Sequence, residues 1–428
     1  MNTTTSHGPA GADLEELIAT VGQKLSAGLS AVLAAVPGAP RGPQALSQTL
    51  GLREKDKVLT SRLLKALRAR DPLGVVHLVP GPDPLRRVLR AAQRVGVADE
   101  LLGPATAAVD RFEQLIRREI GDRSSLDALI CAWLPEARVR FELRRKQEAF
   151  RAMSQLRGVA AETCLATVLL QPSDDGVNLD AVRISGLLGL RRLRPGSVVR
   201  CAGRPADGRA EPSGFLELPE FCHAPPAPLE VQRTGDALQY TLGDSGFGPG
   251  SAVDLLYAEI GRAETSRPAP DSPVPPVPPI HGRPKTCVYA EISTPVRNLH
   301  FDVLLHEGIA PAAGPALRVY DTTVRGVADF NDPTRDVDRI DLLESVWALG
   351  RGPSHFRAGQ IPRYVDLVRH VFARFGWDGD RFQGYRCRVE YPIYGSQITL
   401  AFDSPGEPPL RAPEEARRGG GLRPQDVT

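Results

Sequence analysis

Between Lys57 and Lys65 the chain reads KVLTSRLLK. Lys57, Thr60, Ser61, Arg62 and Lys65 then share the polar face of a short helix whose apolar face is Leu59, Leu63 and Leu67. Hydroxyls set among cations suit DNA recognition: lysine and arginine neutralise phosphates, and short polar groups near a helix N-terminus reach base edges. Lys57, Thr60 and Ser61 are therefore the expected base-edge or phosphate contacts. Arg62 and Lys65 are expected to hold phosphates, which sets register without reading sequence. The plainer account of all five is a solvated helix face.

Other groups support less chemistry. Ser245–Ser251 (SGFGPGS) is glycine-rich and is expected to lie between a strand and a helix, where such a loop can cradle phosphate. However, Ser251 stands where a dinucleotide fingerprint needs its third glycine, and no P-loop lysine follows. A strand-to-helix turn is the better reading. Seven acids crowd 321–344 without EF-hand spacing, so capping and turns explain them, with Asp336 or Asp338 capping a helix from Ile340. His281, His300, His306, His355 and His370 lack a GxSxG elbow or equivalent, so no catalytic residue is assigned. The six cysteines contain no CxxC pair, and neither a metal site, a cofactor nor a disulfide framework is expected. Aromatics gather at Trp377, Phe382, Tyr385, Tyr391 and Tyr394, read as the core of a small β-rich domain in preference to a ligand pocket.

The elements that would position the polar face run from Gly42 to Arg70. Pro43 suits the first position of a helix, Leu46 and Leu50 share a face, and Gly51 stops that helix where φ > 0 is cheap. Asp56 is a plausible N-cap for the second helix. The pair resembles the helix-turn-helix of winged-helix repressors of the multiple-antibiotic-resistance type, most closely over Thr60–Arg70, which is similar to the second half of their recognition helix. The resemblance covers roughly 30 residues and implies a winged-helix DNA-binding fold. The chain departs from it at Arg53–Lys55, a three-residue insertion in the turn, and at 73–80, which supplies one candidate strand (GVVHLV) where a wing needs two. Pro80, Pro82 and Pro84 then open another helix, so a plain helical variant stands beside the winged one.

The fold class expected is α+β, a helical N-terminal half followed by a β-rich half. Residues 1–12 read as disordered, 13–96 as the helix-turn-helix-like domain, and 97–158 as long helices suited to dimerisation. Residues 159–266 read as a mixed α/β domain, 267–284 as a linker with eight prolines, 285–403 as a β-rich α+β domain and 404–428 as a disordered tail. Helices are expected at 251–262, 340–349 and 361–375, and 385–391 with 396–402 read as a closing pair of strands.

The 428 residues carry a net charge of +2, 42% hydrophobic and 24% charged residues, so no global field draws the chain to nucleic acid or membrane. Six of the 53 basic residues are lysine, leaving 47 arginines; with abundant Ala, Gly and Pro this matches a GC-rich bacterial genome and weakens any argument from arginine content. The N-terminus shows no secretory pattern and no run approaches about 18 apolar residues, which points to the cytoplasm. The function expected is a DNA-binding transcriptional regulator, homodimeric on double-stranded DNA, with a C-terminal region that senses a small-molecule effector or binds a partner. The alternatives are a scaffold protein, or an enzyme in whose cleft at least two of Asp329, Asp332, His306 and His355 converge.

Overall fold

The computed structural model describes residues 10–403 except 39–41, 53–56, 175–177, 206–214, 235–236, 244–245, 249, 266–284, 310 and 312. The insertion at 53–55, the Asp56 cap, the proline-rich 267–284 and most of the terminal segments lie outside the described residues. The helices α1 (Ala10–Ala34), α2 (Pro43–Thr49), α3 (Lys57–Leu67), α4 (Pro72–Leu78), α5 (Pro82–Arg94), α6 (Asp99–Gln114), α7 (Arg123–Trp133) and α8 (Pro135–Arg157) come first. Strands β1 (Val159–Pro172), β2 (Leu179–Arg192), β3 (Arg200–Pro205), β4 (Phe215–Glu217), β5 (Leu229–Thr234), β6 (Ala237–Leu242) and β7 (Val253–Thr265) follow. The chain continues with β8 (Lys285–Glu291), β9 (Val296–His306), β10 (Ala316–Asp321), β11 (Val346–Arg351), α9 (Tyr364–Phe375), β12 (Phe382–Glu390) and β13 (Ser396–Asp403). The fold is α+β, and it divides into two compact units, Met1–Arg144 and Arg145–Thr428.

The first unit is built around α1. Its stripe Ile18, Val21, Leu25, Leu29 and Val32 is buried among Leu63, Val76, Ala105, Val109 and Phe112. Two glycines let neighbours approach: a Cβ on Gly22 would stand 2.2 Å from the Pro72 carbonyl oxygen, and one on Gly28 would stand 2.9 Å from Ala105 Cα. Asp13–Ala34 is the one described helix long and apolar enough to cross a membrane, and its place at the centre of this core accounts for that apolarity. Because α6 spends Leu102, Ala105, Val109 and Phe112 on the same core, 97–144 joins 13–96 in one unit.

The strand expected at 73–80 is a helix, α4. Asp71 accepts the Leu73 N–H (2.7 Å) as N-cap with Pro72 at the first position, and Val75 and Val76 are buried against α1. The capping signal overrides the β preference of the two valines.

The second unit holds a seven-stranded sheet in the order β11-β12-β9-β1-β2-β7-β4, antiparallel except where β1 and β9 run parallel. One core contains Val168, Phe301 and Val303 of this sheet with Val288, Val319 and Leu400 of a second sheet, β10-β13-β8. Another contains Leu169, Ile184 and Leu304 with Tyr364, Leu367, Val368 and Val371 of α9. Strands from both sides of 266–284 share the large sheet, so 159–266 and 285–403, which the sequence leaves open as one domain or two, lie in one compact unit. Of the expected helices, 251–262 falls mostly in β7, which pairs with β2, and the end of 340–349 falls in β11, which pairs with β12. Both stretches carry apolar residues at spacings that suit either period, and pairing with distant strands decides between them. The expected closing pair is likewise split, β12 joining β9 and β13 joining β8 and β10.

A buried polar network ties the large sheet to α9. Arg386 donates from Nε to Asp302 Oδ1 (2.8 Å) and from Nη2 to Oδ2 (2.8 Å), and its remaining N–H groups reach the Phe356 and Arg357 carbonyls. The Tyr364 hydroxyl donates to Asp302 Oδ2 (2.7 Å) and is 2.8 Å from Thr167 Oγ1. Burial would raise the Asp302 carboxyl, but the bonds from Arg386 and the nearby His300 prevail and hold it below the usual carboxylate range.

Candidate nucleic-acid interface

Helix α2 ends in a Schellman turn: Gly51 has φ 58°, its N–H donates to Gln48 O (3.0 Å), and the Leu52 N–H donates to Ser47 O (2.9 Å). Leu46 and Leu50 of the first helix and Leu59, Leu63 and Ala66 of the second are buried in one core. This fixes α3 against α2 and α4 and leaves its opposite face to solvent. That face is Val58, Ser61, Arg62 and Lys65, at helical spacings of three and four, with Arg68 one turn further.

The five expected contact residues separate on this geometry. Ser61, Arg62 and Lys65 are exposed together. Lys57 opens α3, but its side chain is outside the described atoms. Thr60 is 0% exposed, and its Oγ1 donates to the Pro43 carbonyl at 2.9 Å, across the two helices. The expectation that Thr60 reaches a groove is therefore corrected: at position four of α3 its Cβ points inward with Leu59 and Leu63, and its hydroxyl pins α2 to α3. The residue that stands in its place on the outer face is Val58, 68% exposed. Counting back three from Ser61 finds it.

Several arginines elsewhere in the unit are paired with carboxylates. Arg86 bonds Asp110 (2.7 Å) and Glu113, Arg111 bonds Glu119, and Arg138 bonds Glu142. Among the described residues, no carboxylate pairs with Arg62, Lys65 or Arg68, and α3 contains no acid. Arg123 stands near Arg62 and donates to the Val76 (2.8 Å) and His77 (2.7 Å) carbonyls at the end of α4. Burial, with a smaller push from Arg62, lowers its guanidinium, while Asp127 at 3.2 Å neutralises it.

The other constellations resolve into structure. The 245–251 glycine loop joins strand β6 to strand β7, so no helix N-terminus faces it, and Ser251 Oγ donates to Gly248 O (2.9 Å). Asp321 accepts the Thr323 N–H, Asp332 the Thr334 N–H and Asp329 the Asn331 N–H. No helix starts at Ile340; Asp336 and Asp338 instead meet Arg318 (3.1 Å) and Arg335 (2.6 Å). His306 accepts the Gly308 N–H and packs edge-on against Phe382. Trp377 stacks on Phe382 at 5.8 Å within the α9 core, and Tyr385 is buried in the opposite one. Among the described residues no group of three His, Cys, Asp or Glu side chains could hold a metal ion. Compared with known proteins, the chain matches no family model and no curated protein.

Proposed function

We propose that this protein is a transcriptional regulator that binds double-stranded DNA through the α2–α3 pair, α3 entering the major groove. The observation that supports the reading is the outer face of α3, where Arg62, Lys65 and Arg68 are exposed without carboxylate partners among the described residues while the inner face is locked to α2 and α4. In this role Ser61, Val58 and Lys57 meet base edges, a valine methyl serving against thymine, and Arg62 and Lys65 hold phosphates. The similarity to winged-helix repressors fits the α2–α3 pair; a helix at 72–78 in place of a strand favours the plain helical variant. The working form is a cytoplasmic homodimer, which would set two recognition helices about one DNA turn apart. The second unit would sense a small-molecule effector or bind a partner.

The test is a mobility-shift assay with genomic fragments and the full-length chain at two salt concentrations. Retardation at low salt that weakens sharply as salt rises supports the reading, and absence of any shift at low salt ends it.

A further inference from the structure

The second unit contains a cavity of about 340 Å³ between the β1-β2-β7 face of the large sheet and the start of α9. That volume lies within the range of small-molecule sites. Leu188, Phe221, Leu256, Ile361 and Leu367 form its apolar walls. The wall nearest α9 is held in place: Arg363, in the left-handed region at φ 55°, donates to the Glu220 carbonyl (2.9 Å) and lies over the Phe221 ring at 5.0 Å. A non-glycine residue held at positive φ costs energy and persists only where its surroundings require it. The cavity is thus built into the fold.

Its polar side chains are Glu162, Thr163, His223, Asp254 and Gln360. Glu162 on the rim is already paired with Arg191 and, at 3.4 Å, with Arg297. Asp254 is different. It is 3% exposed, lines the cavity, and accepts the backbone N–H groups of Gly189 (2.7 Å), His223 (2.7 Å) and Ala224 (2.8 Å). Those three donors fix the carboxylate in place, and among the described residues no cation pairs with it. Buried charges are normally paired, because low polarity magnifies an uncompensated charge.

We infer that this cavity binds a small organic cation with an apolar body, the ammonium group facing Asp254 and the body between Phe221, Leu188 and Ile361. Neutral apolar molecules would satisfy the walls but not the charge, and anions would be repelled by Asp254. The inference supplies a site and a ligand class for the effector-sensing part of the proposed function, on which it rests for its biological purpose.

The experiment measures binding to the full-length protein by calorimetry without DNA, so its outcome is independent of the mobility-shift result. The probes are 4-phenylbutylamine, 4-phenylbutanol and 4-phenylbutyrate, which share a body and differ in charge. Saturable binding of the amine, at least about tenfold tighter than the alcohol, with none of the acid, is expected. Ala252→Phe, which fills the cavity from its lining, should abolish binding while the melting temperature is kept. Asp254→Asn should bring amine and alcohol to equal affinity; if that variant does not fold, Ala252→Phe still decides. Equal binding of the three probes, no binding of the amine, or amine binding that survives Ala252→Phe overturns the inference.

Discussion

Thr60 and Arg62 are two positions apart on one helix and do opposite work. The Thr60 hydroxyl is spent on the Pro43 carbonyl, so its loss should weaken the helix pair and leave the outer face unchanged. Thr60→Val keeps the shape and removes the bond, which should lower stability by about 1 kcal/mol in a denaturation experiment. DNA affinity per folded molecule should be unaltered; a large loss of affinity at full stability would restore Thr60 to the groove. Asp302 and Arg386 give a stronger effect, since both are buried. Asp302→Ala leaves a guanidinium without its counter-charge and should cost about 3–5 kcal/mol in chemical denaturation. The Asp302 carboxyl is depressed in the folded state, so its contribution is fully present above the unfolded value of about 4 and is lost as pH falls through the lower folded value. Stability measured as a function of pH should therefore drop on the acid side in the native protein, and this part of the drop should vanish in Asp302→Ala.

At the scale of elements, glycine placement decides how closely α1 can be packed. Gly22→Val sets a Cβ against a backbone carbonyl that cannot rotate away, and should destabilise the first unit by about 1–3 kcal/mol or more. Gly103→Ala on α6, with nothing within 4 Å of its Cβ, should instead gain about 0.5–1 kcal/mol from helix propensity. Thermal unfolding of both variants checks the pair, and equal effects would mean that the close approach at Gly22 is not what its size serves. The same scale shows what the sequence could and could not disclose. The α2 stop at Gly51 and the apolar stripe of α1 rest on local signals and were legible. So was the polar stripe of α3, with Thr60 placed one residue too far round. Residues 253–265 and 346–351 were misread because their partners, β2 and β12, are remote in sequence, and periodicity in a short apolar run serves either structure. Asp254 gave no local sign of its role: its three donors come from two distant segments.

For the whole molecule, topology overrides composition. The prolines at 267–284 read as a boundary, yet β9 from beyond them lies between β1 and β12 within one sheet. A protease site placed between residues 266 and 284 and cut after folding should leave two fragments that co-elute under native conditions and separate only in denaturant. Separation under native conditions would mean that the sheet is not continuous across this segment. The dimer needed to span two half-sites must use surfaces other than the buried face of α6. The account as a whole depends on the α3 charges being spent on DNA phosphates. The most direct measurement is the slope of log affinity against log salt for the full-length protein and for Arg62→Ala/Lys65→Ala. The account predicts a steep negative slope that becomes shallower by about one for each cation removed, with a similar loss of affinity on every DNA sequence. An unchanged slope, or affinity lost on some sequences alone, would contradict it.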